Sequence, residues 1–223
     1  MRQYYISMKD ELQDEKKFYT EELGKKDWKH LKEAGEIFLI HAYSHLFVIG
    51  LRADKIAKII GADASKFQVL FNDEYKIKYS QFYLNLAVGL ELILKSILLR
   101  KGERITLSPE KTITLGTIID KYFNKIFLNM GENTFEEIKN TLNLINLRRN
   151  NISHRSKKSY DSYAHEYRFS YITLYIYERF FHGRNQELTA LLIKSIERSK
   201  VTQGSDFKPL RIKPRSLRIV DSV

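Results

Sequence analysis

Arg149 and His154 are the two residues in this sequence whose types and spacing best suit acid–base chemistry at a charged centre. Histidine, with an unperturbed pKa near 6.5, takes or gives a proton at neutral pH, and positioned proton transfer contributes roughly 10²–10⁴-fold to a rate. A guanidinium stays charged and forks onto phosphate oxygens, stabilising charge that develops in a transition state. Together they need no metal. Both lie in the segment Leu147-Arg148-Arg149-Asn150-Asn151-Ile152-Ser153-His154.

The local pattern makes Arg149 conspicuous. Phe135, Ile138, Leu142 and Ile145 step by threes and fours, and the stripe continues at positions 149 and 152. Position 152 is Ile, but 149 is Arg. A charge on a packing face costs desolvation energy unless it is paired or useful. Asn150, Asn151 and Ser153 are weak helix formers. Five residues of ideal helix turn by about 500°, which would leave positions 149 and 154 about 140° apart. Either the helix ends near Ser153, or the pairing is completed across a two-fold axis, or the two combine, which is the expectation favoured here.

The elements that must position this segment read as helices. Few breakers (3 Pro and 10 Gly in 223 residues) and long apolar-periodic stretches favour an all-α fold. A charged stretch at 8–23 reads as a short helix or arm. Asp27 is the expected cap of a helix through Leu51, followed by a shorter one from Ala53 to Ile60 that stops at Gly61, and a third starting near Ser65. Tyr75 to Arg100 is the clearest helix, ended by Gly102. Asn85 to Leu99 within it is apolar on nearly all sides, as expected of the centre of a bundle. Ser108-Pro109 reads as a helix start, with the helix proper near Thr114 and an apolar face of Leu115, Ile118, Ile119, Tyr122 and Phe123. Thr134-Phe-Glu-Glu137 has capping-box spacing. Tyr163 to Phe181 and Leu188 to Arg198 complete the set.

In this order of helices the Arg149-Asn150…His154 motif resembles the signature of the HEPN superfamily, an Arg followed by a polar residue with four to six residues before a His. The upstream Gly89-Leu-Glu-Leu-Ile-Leu-Lys95 helix and the aromatic helix after the motif extend the resemblance over about 76–181. The resemblance implies a HEPN-like helical bundle and a homodimer in which each copy brings its Arg and His to a joint cleft. It also implies metal-independent RNA cleavage, in which the 2′-hydroxyl attacks the neighbouring phosphate to leave a 2′,3′-cyclic phosphate. On this reading Arg149, His154 and Asn150 are catalytic, with Asn150 orienting the histidine or a phosphate. Arg148, Arg155, Lys157 and Lys158 are RNA-binding candidates, although surface solvation accounts for such charges equally well. Glu91 and Lys95 are placed near the arginine as supporting groups; an ordinary i, i+4 ion pair explains their spacing too. His154 is followed by Arg155-Ser156, where one toxin subgroup has a Tyr two residues on, so the chain departs from that subgroup. A silent HEPN interaction module, with Arg149 and His154 a structural pair, is the alternative.

Composition sets the frame. The net charge of +11 attracts polyanions such as nucleic acid, although solubility charge has the same effect on the count. The absence of Cys excludes disulfides, thiolate chemistry and Cys-based zinc sites, and suits a reducing, cytoplasmic setting. The first ten residues lack a signal-peptide core, and the apolar run Ile37 to Leu51 is shorter than the roughly 20 residues that span a bilayer. Neither cofactor nor membrane is expected. The division expected is an N-terminal helical elaboration at 1–75, a core at 76–200 and a basic tail at 201–223. That tail, from Lys208 to Arg218, suits RNA, a protein partner or solvent alike. Since a free ribonuclease harms its host, an antitoxin or other regulatory protein is expected, in a toxin, defence or stress setting. Residues 53–70 also resemble a helix-turn-helix, with Lys66 and Gln68 facing a DNA groove. His41 and His45 have the spacing of a helical metal pair, but without a third ligand they read as a core or interface pair.

Overall fold

A stretch of helix that is apolar on nearly every side must be surrounded, and 86–98 is. The computed structural model describes residues 28–60, 72–108, 111–155 and 163–203. In chain order the elements are α1 (Trp28–Ile60), α2 (Asn72–Arg100), a hairpin of β1 (Thr106–Ser108) and β2 (Lys111–Thr112), and α3 (Leu115–Thr117). A π-helical turn (Ile118–Tyr122) then leads to α4 (Phe123–Ile126), α5 (Glu132–Arg155), α6 (Tyr163–Phe181) and α7 (Gln186–Gln203). The fold is all-α, with one short hairpin inserted.

From Leu86 to Leu98 no residue of α2 is exposed. Ile77–Arg100 is long and apolar enough to cross a bilayer, but 67% of its most apolar stretch is buried among the other helices. α1 runs antiparallel to α2, and the two touch most closely at Gly35 and Gly89. A Cβ at Gly89 would lie 2.8 Å from Leu39 Cδ2 and 3.0 Å from the Gly35 carbonyl oxygen, so only the missing side chains permit this approach. Farther along, the Tyr43 ring meets Phe82 edge-on at 5.7 Å. At the other end Trp28 stacks on Phe181 at 6.5 Å, and Arg100 lies over the Trp28 ring while donating to the Phe180 carbonyl at 3.1 Å. One indole thus ties the ends of α1, α2 and α6.

α2 stops where Gly102 adopts φ +81, which lets Gly102 N–H reach Leu99 O (2.9 Å) and Glu103 N–H reach Leu98 O (3.0 Å). This is the paired C-terminal closure that a left-handed glycine allows.

Several boundaries differ from the sequence reading. α1 continues without a break from Trp28 to Ile60, so the separate helix expected at 53–60 does not exist. Ser108 ends a strand rather than starting a helix. Ile113 N–H donates to Ile105 O at 2.8 Å, and both isoleucines are buried. The helix proper begins after Thr114, whose hydroxyl accepts Thr117 N–H at 3.3 Å, as expected. Thr134 does not cap α5; the Gly131 carbonyl accepts the first turn's bond from Phe135 N–H at 3.0 Å. The arm at 8–23, the Asp27 cap, the helix start near Ser65 and the tail from 204 onward lie outside the described residues.

Candidate active site

α5 carries the arginine. Its stripe of Ile138, Leu142 and Ile145 is fully buried, with Phe135 and Ile152 packed against the core at its edges. The next stripe position points Arg149 at α2, where Glu91 interrupts the apolar surface. Arg149 Nη1 donates to Glu91 Oε2 at 3.0 Å. Leu115 N–H, at the start of α3, donates to the same oxygen at 3.0 Å. Lys95 Nζ donates to Glu91 Oε1 at 2.7 Å and to Thr112 Oγ1 of β2 at 3.0 Å. Three elements therefore meet at one carboxylate, and Lys95 ties in a fourth, β2.

Exposure divides the cluster. The Lys95 side chain is 6% exposed, Glu91 14% and Arg149 29%, so the arginine is the member that faces solvent. Two cations share one carboxylate, which leaves one positive unit in excess. With Lys95 enclosed, the excess is presented through the guanidinium. A charge held by hydrogen bonds from a rigid support is pre-oriented for an anion, and no reorganisation is needed when the anion arrives.

The remaining residues of the motif are placed as follows. Asn150 and Ser153 are exposed, while Arg148 and Asn151 are half-buried. The helix runs to Arg155, two residues past Ser153, near which its end was expected. On an unbroken helix positions 149 and 154 lie about 140° apart. The His154 and Arg155 side chains, and Lys157 and Lys158 altogether, lie outside the described residues.

Other motifs are dispersed. His41 is exposed on α1 rather than in the core, and His45 is half-buried. Among the described residues no group of three His, Asp or Glu is arranged to hold a metal ion. Residues 53–60 of the helix-turn-helix segment belong to α1, and Lys66 and Gln68 lie outside the described residues.

The resemblance placed Glu91 and Lys95 near Arg149, where the structure has them, but sequence reasoning did not single out Thr112 or the Leu115 N–H, which come from the hairpin and the turn after it. It also missed a second buried acid. Glu36 on α1 accepts from the Tyr177 hydroxyl, from Lys32 at 2.6 Å and from Asn185 Nδ2 at 3.3 Å. Burial and the adjoining Glu36 push the Tyr177 hydroxyl well above its ordinary value. Asn185 also caps α7 by accepting Leu188 N–H at 3.1 Å, so this cluster joins α1, α6 and α7.

Comparison with protein-family models, with curated proteins and with solved structures returns no match.

Proposed function

We propose that this chain is a metal-independent endoribonuclease of the HEPN type, with a HEPN-like bundle, acting as a homodimer in the cytoplasm in a toxin, defence or stress response held in check by an inhibitor. The observation that carries the reading is the Arg149 guanidinium, buttressed by Glu91 yet open to solvent and part of a cluster with positive charge in excess. In the reaction the RNA 2′-oxygen bonds to the adjacent phosphorus as the P–O5′ bond breaks. The 2′-hydroxyl proton goes to a base, the 5′-oxygen receives one, and a 2′,3′-cyclic phosphate remains. His154 moves the protons, and Arg149 holds the non-bridging oxygens as their charge grows. Asn150, exposed one residue on, is available to the phosphate or the imidazole. Because an unbroken α5 separates positions 149 and 154, one copy's Arg149 works with the other copy's His154.

The test compares wild type with His154→Ala on mixed RNA in EDTA. Wild type is expected to cut and to leave cyclic phosphate ends, whereas the variant is expected to lose at least about 10²-fold in rate. Equal cleavage by both, or loss of wild-type activity in EDTA, removes the mechanism.

A second reading draws on the same contact. Both Glu91 oxygens are engaged, so Arg149 already clamps α5 to α2. A silent helical module would need nothing more of it. That reading predicts Arg149 variants that lose stability but no RNA cleavage, since wild type would have none.

A further inference from the structure

The first turn of α6 holds an acid that the proposed chemistry does not use. Glu166 is 4% exposed, and among the described residues its Oε1 has no hydrogen-bond partner. An ionised carboxyl with one oxygen enclosed and given no donor is unfavourable, whereas the protonated acid is tolerated. The site lies where three helices pack against α6. From α1 comes Tyr43, buried, with its hydroxyl on Thr173 Oγ1 at 3.4 Å. Burial first, and the Glu166 charge in addition, push that hydroxyl up. From α2 comes Tyr83, whose ring packs edge-on to Phe169 at 5.8 Å. From α7 come Ser195, 2.8 Å from Ser170 Oγ, and Arg198, whose Nη1 reaches the Leu46 carbonyl of α1 at 3.5 Å. Ser170 in turn donates to the Glu166 carbonyl at 2.8 Å, which closes a polar chain from α7 to the first turn of α6.

We propose that Glu166 is a buried proton switch: protonated, it lets the first turn of α6 lock against α1 and α7, and ionised, it loosens that junction. Arg198 is the cation whose charge acts on it, and it bridges α7 and α1, so a newly formed carboxylate competes with the Leu46 carbonyl for this side chain. The switch is independent of the ribonuclease reading and involves none of its residues.

The direction of the effect follows from proton linkage. Burial pushes the Glu166 carboxyl up to about 8, and the Arg198 charge pulls it the other way. The opened junction returns the acid to its ordinary range, so opening releases a proton at any pH between the two values. Closure is firmest below the ordinary value and weakens as pH rises to the raised one.

Hydrogen exchange of the full chain, corrected for the pH dependence of the chemical step, reads the opening of the α6 first turn. In wild type the opening equilibrium is expected to rise about tenfold per pH unit from the ordinary carboxylate range up to about pH 8, then level off. Glu166→Gln should flatten that rise. Arg198→Gln should carry it to higher pH, because the opposing charge is gone. If Glu166→Gln does not fold, infrared spectra of wild type decide the matter. A protonated-carboxyl band lost between about pH 6 and about pH 9, and lost later in Arg198→Gln, supports the switch. A flat wild-type exchange profile, an undiminished slope in Glu166→Gln, or no such band overturns it.

Discussion

Replacing Glu91 with Gln removes the charge that Lys95 and Arg149 share, yet keeps the side chain's shape and one amide oxygen. Breaking one side of a fully buried ion pair costs about 3–5 kcal/mol. Lys95, at 6% exposure, is near that limit, while Arg149, at 29%, keeps part of its water. The Gln oxygen still accepts one of the former donors, which reduces the loss. The expected cost is therefore about 2–3 kcal/mol. In a chain of this size each kcal/mol shifts the midpoint by about 2–4 °C, so circular dichroism melts should show a fall of about 4–12 °C. Arg149→Gln is the informative partner. It leaves Glu91 with Lys95 and the Leu115 N–H, so its expected cost is only about 0.5–1.5 kcal/mol. The double variant should fall short of the sum by about 1 kcal/mol, because the contact can be lost only once. A Glu91→Gln protein as stable as wild type, or no less stable than Arg149→Gln, would refute the view that this carboxylate holds three elements together.

Other outcomes follow from the packing. Gly89→Ala gains about 1 kcal/mol of helix propensity but drives a methyl to 2.8 Å from Leu39 and 3.0 Å from a backbone oxygen. A net loss of about 1–2 kcal/mol is expected, read as a lower melting midpoint. Gly102→Ala, with open space around it but φ +81, should lose about 1 kcal/mol through backbone strain alone, checked by urea titration. Tyr177→Phe removes a donor from buried Glu36 and should cost about 1–3 kcal/mol in the same assay.

The helical class was legible because so little in the sequence breaks a helix. α2 was legible because Asn85 to Leu99 offers no polar face, and α6 because its aromatic periodicity begins and ends where the helix does. The split in α1 was expected between Leu51 and Ala53. Nothing between Leu51 and Ala53 caps or breaks a helix, so the helix runs on. The hairpin was invisible because Pro after Ser reads locally as a helix start, and only the burial of Ile105 and Ile113 against the core turns the chain back. At the site, Arg149 and Glu91 each announced themselves as a charge on an apolar face. Their meeting, across 58 residues of sequence, was expected only from the family resemblance, because neither helix's own pattern carries it. Glu36 and Glu166 resemble any acid on an amphipathic helix until the packing shows that they are enclosed.

The central claim is that one copy's guanidinium and the other copy's imidazole act on the same phosphate. Mixing the Arg149→Ala and His154→Ala proteins after refolding them together tests this most directly, because each mixed dimer retains one complete pair. The account predicts RNA cleavage in the mixture that neither variant shows alone, with cyclic phosphate ends. An inert mixture from two folded variants, beside an active wild type, would contradict it.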